Sequence, residues 1–489
     1  MPPTTLLIGV GSAQLGLVAL LLTMFSPLVA LGLAVAFPAA LAILLWPRLG
    51  VYGLAATIIG QWPWNLSRYA GMLVTVSALL WVLRTRRPLF TRSPLLILVG
   101  FYVALVLASA INPLTREEIW SAAVAHVSYF ALAWLFVTFV DDRRALRTVV
   151  GLMVASGIVT AVGGLAQAWT PFVWPASTTA YALSQQFFRG QTGLDLQHWQ
   201  GWFRIDSITG TPDFLPLSLQ TLMPFVFFWM VRQGSRPRRL LGVLVLIAFG
   251  AAHLLSFTRG AILTTAIVLF LMAWMVDRRR VVAFAPVVAM MTFLALMAWA
   301  PLRDRLISMG SVALPSSAAA EDSGAWRVST IPVGIRMMLE HPVLGVGVAQ
   351  QHLNWPESAR HLVQTGIPGA TVPLHNSYIL AGVELGLGGL VVLVALVVVA
   401  LRQLRALVRR FDALGEPELA SYARASLVAL AGLAIAMLGY PMVGSFRYLW
   451  LMFALAAALV RVEAKLAGTP VHGGWRGAVR ASAAASPAR

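Results

Sequence analysis

The chain has 489 residues, 59% of them hydrophobic and 11% charged, with a mean hydropathy of +0.80. Soluble domains carry roughly 25% charged residues, so the charge here cannot cover a water-facing surface, and the composition reads as a polytopic membrane protein. The net charge of +18 invites a nucleic-acid reading, while the absence of cysteine excludes disulfides and thiolate metal sites.

Apolar runs of membrane-spanning length dominate the chain. They fall at 4–24, 27–46, 49–62, 69–84, 94–111, 119–140, 145–168, 212–231, 239–256, 260–276, 281–300, 375–401, 423–440 and 446–461. These 14 segments, or 12 if the short third is discounted and the pair split at Ser26-Pro27 counts as one, predict an all-α polytopic integral membrane protein. The first has no cleavage signal and reads as an anchor. The implied organisation is 1–92 as N-terminal transmembrane helices and 93–300 as a central bundle with a loop at 169–211. A large, partly helical loop follows at 301–374, then C-terminal helices at 375–463 and a disordered tail at 464–489.

Basic clusters follow alternate segments, as at Arg84 to Arg92, Arg143 to Arg147, Arg232 to Arg239, Arg278 to Arg280, Arg402 to Arg410 and Arg461 onward. Loops on that side hold the whole +18 excess, leaving 11 basic and 11 acidic residues elsewhere. By the positive-inside rule the excess is topological, both termini are cytoplasmic, and no nucleic acid is implied. Asp141-Asp142, followed by two arginines, reads as a solvated helix end.

The two long loops then lie on the outer face. Within the second, WRVSTIPVGIRMMLEHP predicts one helix ending at His341-Pro342. The chain has no P-loop, no dinucleotide fingerprint and no HExxH, and the outer face has no Asp-x-Asp pair. With no energy source in view, a reaction there needs a pre-activated substrate.

Arg259, in HLLSFTRGAIL, stands directly between two apolar segments. It reads either as a snorkelling arginine at a helix end or as an anion ligand, since a guanidinium matches phosphate oxygens in a forked geometry. Arg204 precedes the turn Gly210-Thr211-Pro212-Asp213, which feeds a helix N-terminus able to bind an anion or simply re-enters the membrane. Arg189 lies on the same loop. His375 opens HNSYILAGVELGLGGL and is a candidate general base or a carbonyl-bonded structural histidine. Asn376, Ser377 and Tyr378 make a polar mouth beside it. Glu384 sits two and a half turns further along that helix. Arg327 and Arg336 lie on the loop helix and face different directions. His198, His352 and His361 stay loop histidines.

Four features occur in order: the turn Thr258 to Gly260, Trp326-Arg327 leading into HPVLGVGVAQ at 341–350, the long loop, and HNSYILAGVELGLGG at 375–389. Over roughly 145–460 this resembles the O-antigen ligase family, within a superfamily of O-antigen polymerases and protein oligosaccharyltransferases. The resemblance implies a GT-C-like membrane glycosyltransferase. It would move O-antigen from undecaprenyl diphosphate to lipid A-core oligosaccharide in lipopolysaccharide assembly, among membrane lipids, at the periplasmic face of the bacterial inner membrane. It implies essential roles for Arg259, Arg327 and His375, and no cofactor or metal. The family's asparagines are missing at Gly210 to Asp213. A polymerase or a protein O-oligosaccharyltransferase would use the same donor, and a lipid-linked glycan flippase is the rival of another class.

Overall fold

The computed structural model describes residues 38–59, 64–86, 88–89, 93–111, 116–173, 198–199, 202–203, 205, 207, 213–298, 324–351 and 374–468. In chain order the helices are α1 (Pro38–Leu45), α2 (Pro47–Ile59), α3 (Trp64–Thr85), α4 (Pro94–Ser109), α5 (Arg116–Phe139) and α6 (Arg143–Val173). Two short strands pair antiparallel, β1 (His198–Trp199) with β2 (Trp202–Phe203). Then come α7 (Phe214–Arg232), α8 (Arg236–Leu255), α9 (Arg259–Ala298), α10 (Gly324–Glu340), α11 (Ser377–Ala413), α12 (Pro417–Ala436), α13 (Met442–Ser445) and α14 (Arg447–Leu466).

The helical reading of the apolar segments follows from their solvent. In hydrocarbon every backbone N–H and C=O must be satisfied internally, which an apolar helix does within one segment. Among the described residues seven helices are long and apolar enough to cross a membrane, or eight if α1 and α2, bent by 119°, make one span. The chain is a multi-pass membrane protein. The segment 4–24 and most of 27–46 lie outside the described residues.

The helices alternate in direction, so their ends gather into two sets. At one end Asp141, just after α5, accepts hydrogen bonds from Arg48 on α2 at 2.8 Å and from Lys465 on α14. Glu418 on α12 takes a two-pronged bond from Arg147 on α6, at 2.8 and 2.6 Å, and lies 3.9 Å from Arg232 on α7. This basic end corrects the reading of Asp141 as solvated. Its carboxylate is 4% exposed because the ends of three helices converge on it. Asp142 caps α6 through the Ala145 amide at 2.8 Å.

The centre of the bundle is α14, on which every residue from Tyr448 to Leu459 is buried. A helix apolar all round belongs in a core. Trp450 stacks on Tyr129 with ring centroids 5.0 Å apart, and the buried His126 ring stands edge-on to both. Helices α7 and α12 are mostly enclosed, whereas α8 and the Arg259–Arg279 part of α9 mostly face outward. Between them the buried Gln220 carbonyl accepts both the Thr264 and Thr265 hydroxyls, at 2.7 and 3.1 Å.

Two long helices are broken, α9 at Asp277 and α11 at Gly386, where φ is +72°. The second break corrects the expectation of one continuous helix through 375–401. It lies at the end opposite Asp141, where the candidate residues gather.

Candidate functional site

The tight connection between α8 and α9 is built by its own small polar groups. The Ser256 hydroxyl bonds the His253 carbonyl at 2.7 Å. Phe257 is fully buried in the left-handed region at φ +51°. The Thr258 carbonyl accepts the Ile262 amide at 3.1 Å, which makes Arg259 the first residue of α9. A cation there opposes the positive end of the helix dipole. The dipole of α9 therefore does not favour the half-buried Arg259 cation, whereas an anion bound there would meet both guanidinium and helix amides.

The HNSY stretch works mainly as a cap. The Asn376 side-chain oxygen accepts the amides of Tyr378 and Ile379 at 3.0 and 3.1 Å, closing the N-terminus of α11. Its Nδ2 donates to the Leu438 carbonyl at 3.3 Å. The buried Ser377 hydroxyl donates to the Tyr440 carbonyl at 2.6 Å and accepts the Met442 amide at 2.7 Å. The Tyr378 hydroxyl reaches the Ala434 carbonyl at 2.9 Å. Asn376, Ser377 and Tyr378 thus tie α11 to the last turn of α12 and the turn after it, and half-buried His375 stands immediately before that anchored cap.

Tyr440 joins the two motifs. A β-carbon on Gly260 would lie 2.7 Å from the Tyr440 hydroxyl, so the start of α9 packs directly against this residue. Sequence reasoning missed Tyr440. Its signal was the Gly439-Tyr440-Pro441 turn between two apolar segments.

The HPVLGVGVAQ loop fills the break in α11. The carbonyls of Val383 and Glu384, freed by the left-handed Gly386, accept the amides of Val346 and Gly347 at 2.8 and 3.1 Å. The Leu387 amide turns to the Pro342 carbonyl at 2.8 Å. The Glu384 carboxylate accepts the Ala349 amide at 3.0 Å, holding a residue whose φ is +58°. Glu384 is therefore a brace for this loop. Beneath it, Val333, Met337 and Met338 of α10 pack with Val346, Leu374, Leu380 and Val383.

That packing sets the register of α10. Positions 327, 330, 334 and 337 share one face, and Thr330, Gly334 and Met337 on it are buried. The side chain of Arg327, on the same helix, lies outside the described residues. Arg336 lies on the exposed face and pairs with Glu340 at 2.7 Å. Arg189 and Arg204 fall outside the described residues. Of the same predicted loop, the Ile205 amide bonds the Leu255 carbonyl at 3.4 Å, and the Ser207 amide bonds the Gln167 side chain at 2.8 Å.

One end of the bundle thus brings the starts of α9 and α11 onto one tyrosine, with the braced loop and α10 beside them. A family model described as O-Antigen ligase matches residues 242–394, a stretch running from α8 through Arg259, α10 and His375 to the second half of α11. No curated protein matches the chain. Over these residues the chain is similar to the O-antigen ligase family.

Proposed function

We propose that the chain, carrying the O-antigen ligase family match over residues 242–394, transfers O-antigen from undecaprenyl diphosphate to lipid A-core oligosaccharide. The reaction runs at the periplasmic face of the bacterial inner membrane, with both termini cytoplasmic. The observation that carries this reading is the shared anchor at Tyr440, against which Gly260 packs and to which Ser377 is bonded. Arg259 opens the helix whose start packs on Tyr440, and His375 precedes the helix that bonds it.

Arg259, Arg327 and Arg204 hold the diphosphate, which is both anchor and leaving group. Guanidinium groups match its oxygens and neutralise the charge that grows as the C1–O bond breaks, the task a metal ion would otherwise perform. His375 accepts the proton of the attacking acceptor hydroxyl. That oxygen bonds C1 from the face opposite the departing diphosphate, so a single displacement inverts the anomeric centre. The long loop at 301–374 covers the site and contacts the acceptor.

The test is a reconstituted assay of the purified full chain with lipid-linked O-antigen and lipid A-core. Glycan attached to the core is the expected product. Elongated lipid-linked glycan with an unmodified core would replace this reading with a polymerase.

A further inference from the structure

A cavity of about 270 Å3 lies between α2, α3 and α5, away from the residues assigned to glycan transfer. Its wall is apolar in effect as well as in composition. Two of the three hydroxyls on it, those of Thr75 and Ser128, donate to carbonyls of their own helices, Gly71 at 2.8 Å and Ala125 at 2.6 Å. The Tyr129 hydroxyl on the wall donates to the Gly444 carbonyl at 3.0 Å. Water needs two to four polar partners to occupy a cavity, and this wall offers almost none, so the natural filling is hydrocarbon. Met72, Val76 and Val127 line the cavity and are 45%, 50% and 43% exposed, so it opens sideways, onto the surface that faces lipid.

Arg447 is the one charged residue among the described residues that line it. It is the first residue of α14, so a cation again stands at the positive end of a helix. It lies at the same end of the bundle as Ser377. A hydrocarbon slot that ends at a guanidinium is complementary to a chain with an anionic head.

The segment from Tyr440 to Phe446 separates this slot from the candidate site. On one face Tyr440 and Met442 bond Ser377, and on the other Gly444 accepts the Tyr129 hydroxyl. Phe446 packs on Phe214 of α7 with ring centroids 4.2 Å apart, away from the cavity. The occupant is therefore not the reacting glycan donor. A cavity open to the bilayer fills from the lipids around it, and the arginine selects those with net negative charge.

We propose that this cavity is a binding site for an anionic phospholipid, with one acyl chain between α2, α3 and α5 and the phosphate at Arg447. Bound there, the lipid supports the segment that anchors Ser377 and, through it, the start of α11.

The experiment is native mass spectrometry of the purified full chain, exchanged into detergent with phosphatidylglycerol and phosphatidylethanolamine of matched chains. Wild-type protein retains one phosphatidylglycerol in preference, and Arg447→Gln weakens that retention by about tenfold, the loss of roughly one charge-assisted contact. Val76→Trp, which leaves the arginine in place and fills the slot, abolishes retention and covers the case of a poorly folded Arg447 variant. Equal retention of the two lipids, or retention unchanged in Val76→Trp, overturns the proposal. So does displacement of phosphatidylglycerol by stoichiometric undecaprenyl phosphate, which would assign the slot to the donor chain.

Discussion

A β-carbon on Gly345 would lie 2.3 Å from the carbonyl carbon of Glu384. The loop and the broken helix are thus in backbone contact, which explains why two glycine-containing motifs, far apart in sequence, occur together. Gly345 lets the loop approach, and Gly386 opens the helix to receive it.

Alanine at either glycine should be poorly tolerated. Both have positive φ, +65° and +72°, and both β-carbons would meet backbone atoms. The left-handed conformation alone costs a non-glycine residue about 1–3 kcal/mol. Gly345→Ala and Gly386→Ala should lower the melting temperature of the purified protein and remove most transfer. Melting indistinguishable from wild type would show that the loop does not depend on this contact.

His375 and Ser377 should separate chemistry from architecture. His375→Ala leaves the cap of α11 intact, so it should melt like wild type while transfer falls at least about 100-fold, the usual worth of a general base. Ser377→Ala loses bonds to Tyr440 and Met442 in a buried setting, at about 1–3 kcal/mol. Its first defect should be in melting. Full transfer by the His375 variant would remove it as the base.

The two arginines on either side of this end should respond differently. Arg259→Lys keeps the charge but loses the forked geometry, and transfer should fall at least about tenfold if two phosphate oxygens are held. Arg336→Ala breaks an exposed pair worth about 0–1 kcal/mol and should transfer normally. Wild-type rates from Arg259→Lys would indicate an arginine that merely reaches the membrane edge.

Under the proposed mechanism, in which arginines rather than a divalent ion neutralise the leaving group, transfer should continue at full rate in excess EDTA. Loss in EDTA that magnesium restores would sink that assignment.

At the basic end, Glu418→Gln should weaken the protein without changing transfer per folded molecule. The carboxylate is 9% exposed and binds Arg147 through both oxygens, yet Arg147 is 61% exposed, so about 1–2 kcal/mol is expected. A change in rate at unchanged stability would contradict a purely structural role.

The loop helix was legible because its apolar period and its terminating His341-Pro342 are local signals, and it runs from Gly324 to Glu340. Asn376 was legible as a polar residue at a helix entrance, but its work as a cap depends on two amides that follow it. Tyr440 was not legible as the anchor of both motifs. An aromatic residue at the edge of an apolar segment is common wherever a helix leaves a membrane, and its partners Gly260 and Ser377 are remote in sequence.

By itself, the sequence determined that the chain lives in a membrane and, among the described residues, broadly where its apolar helices run. Too little charge is present for water, and apolar runs in hydrocarbon must satisfy their backbone within themselves. The distribution of the +18 charge also separated the two ends of the bundle. Only the tertiary structure decided which residues meet at each end. Asp141 became a buried junction for Arg48 and Lys465, and the start of α9 came to rest on Tyr440 beside the cap of α11. Such meetings depend on side-chain packing and backbone bonds between helices far apart in the chain, which local composition and periodicity do not encode.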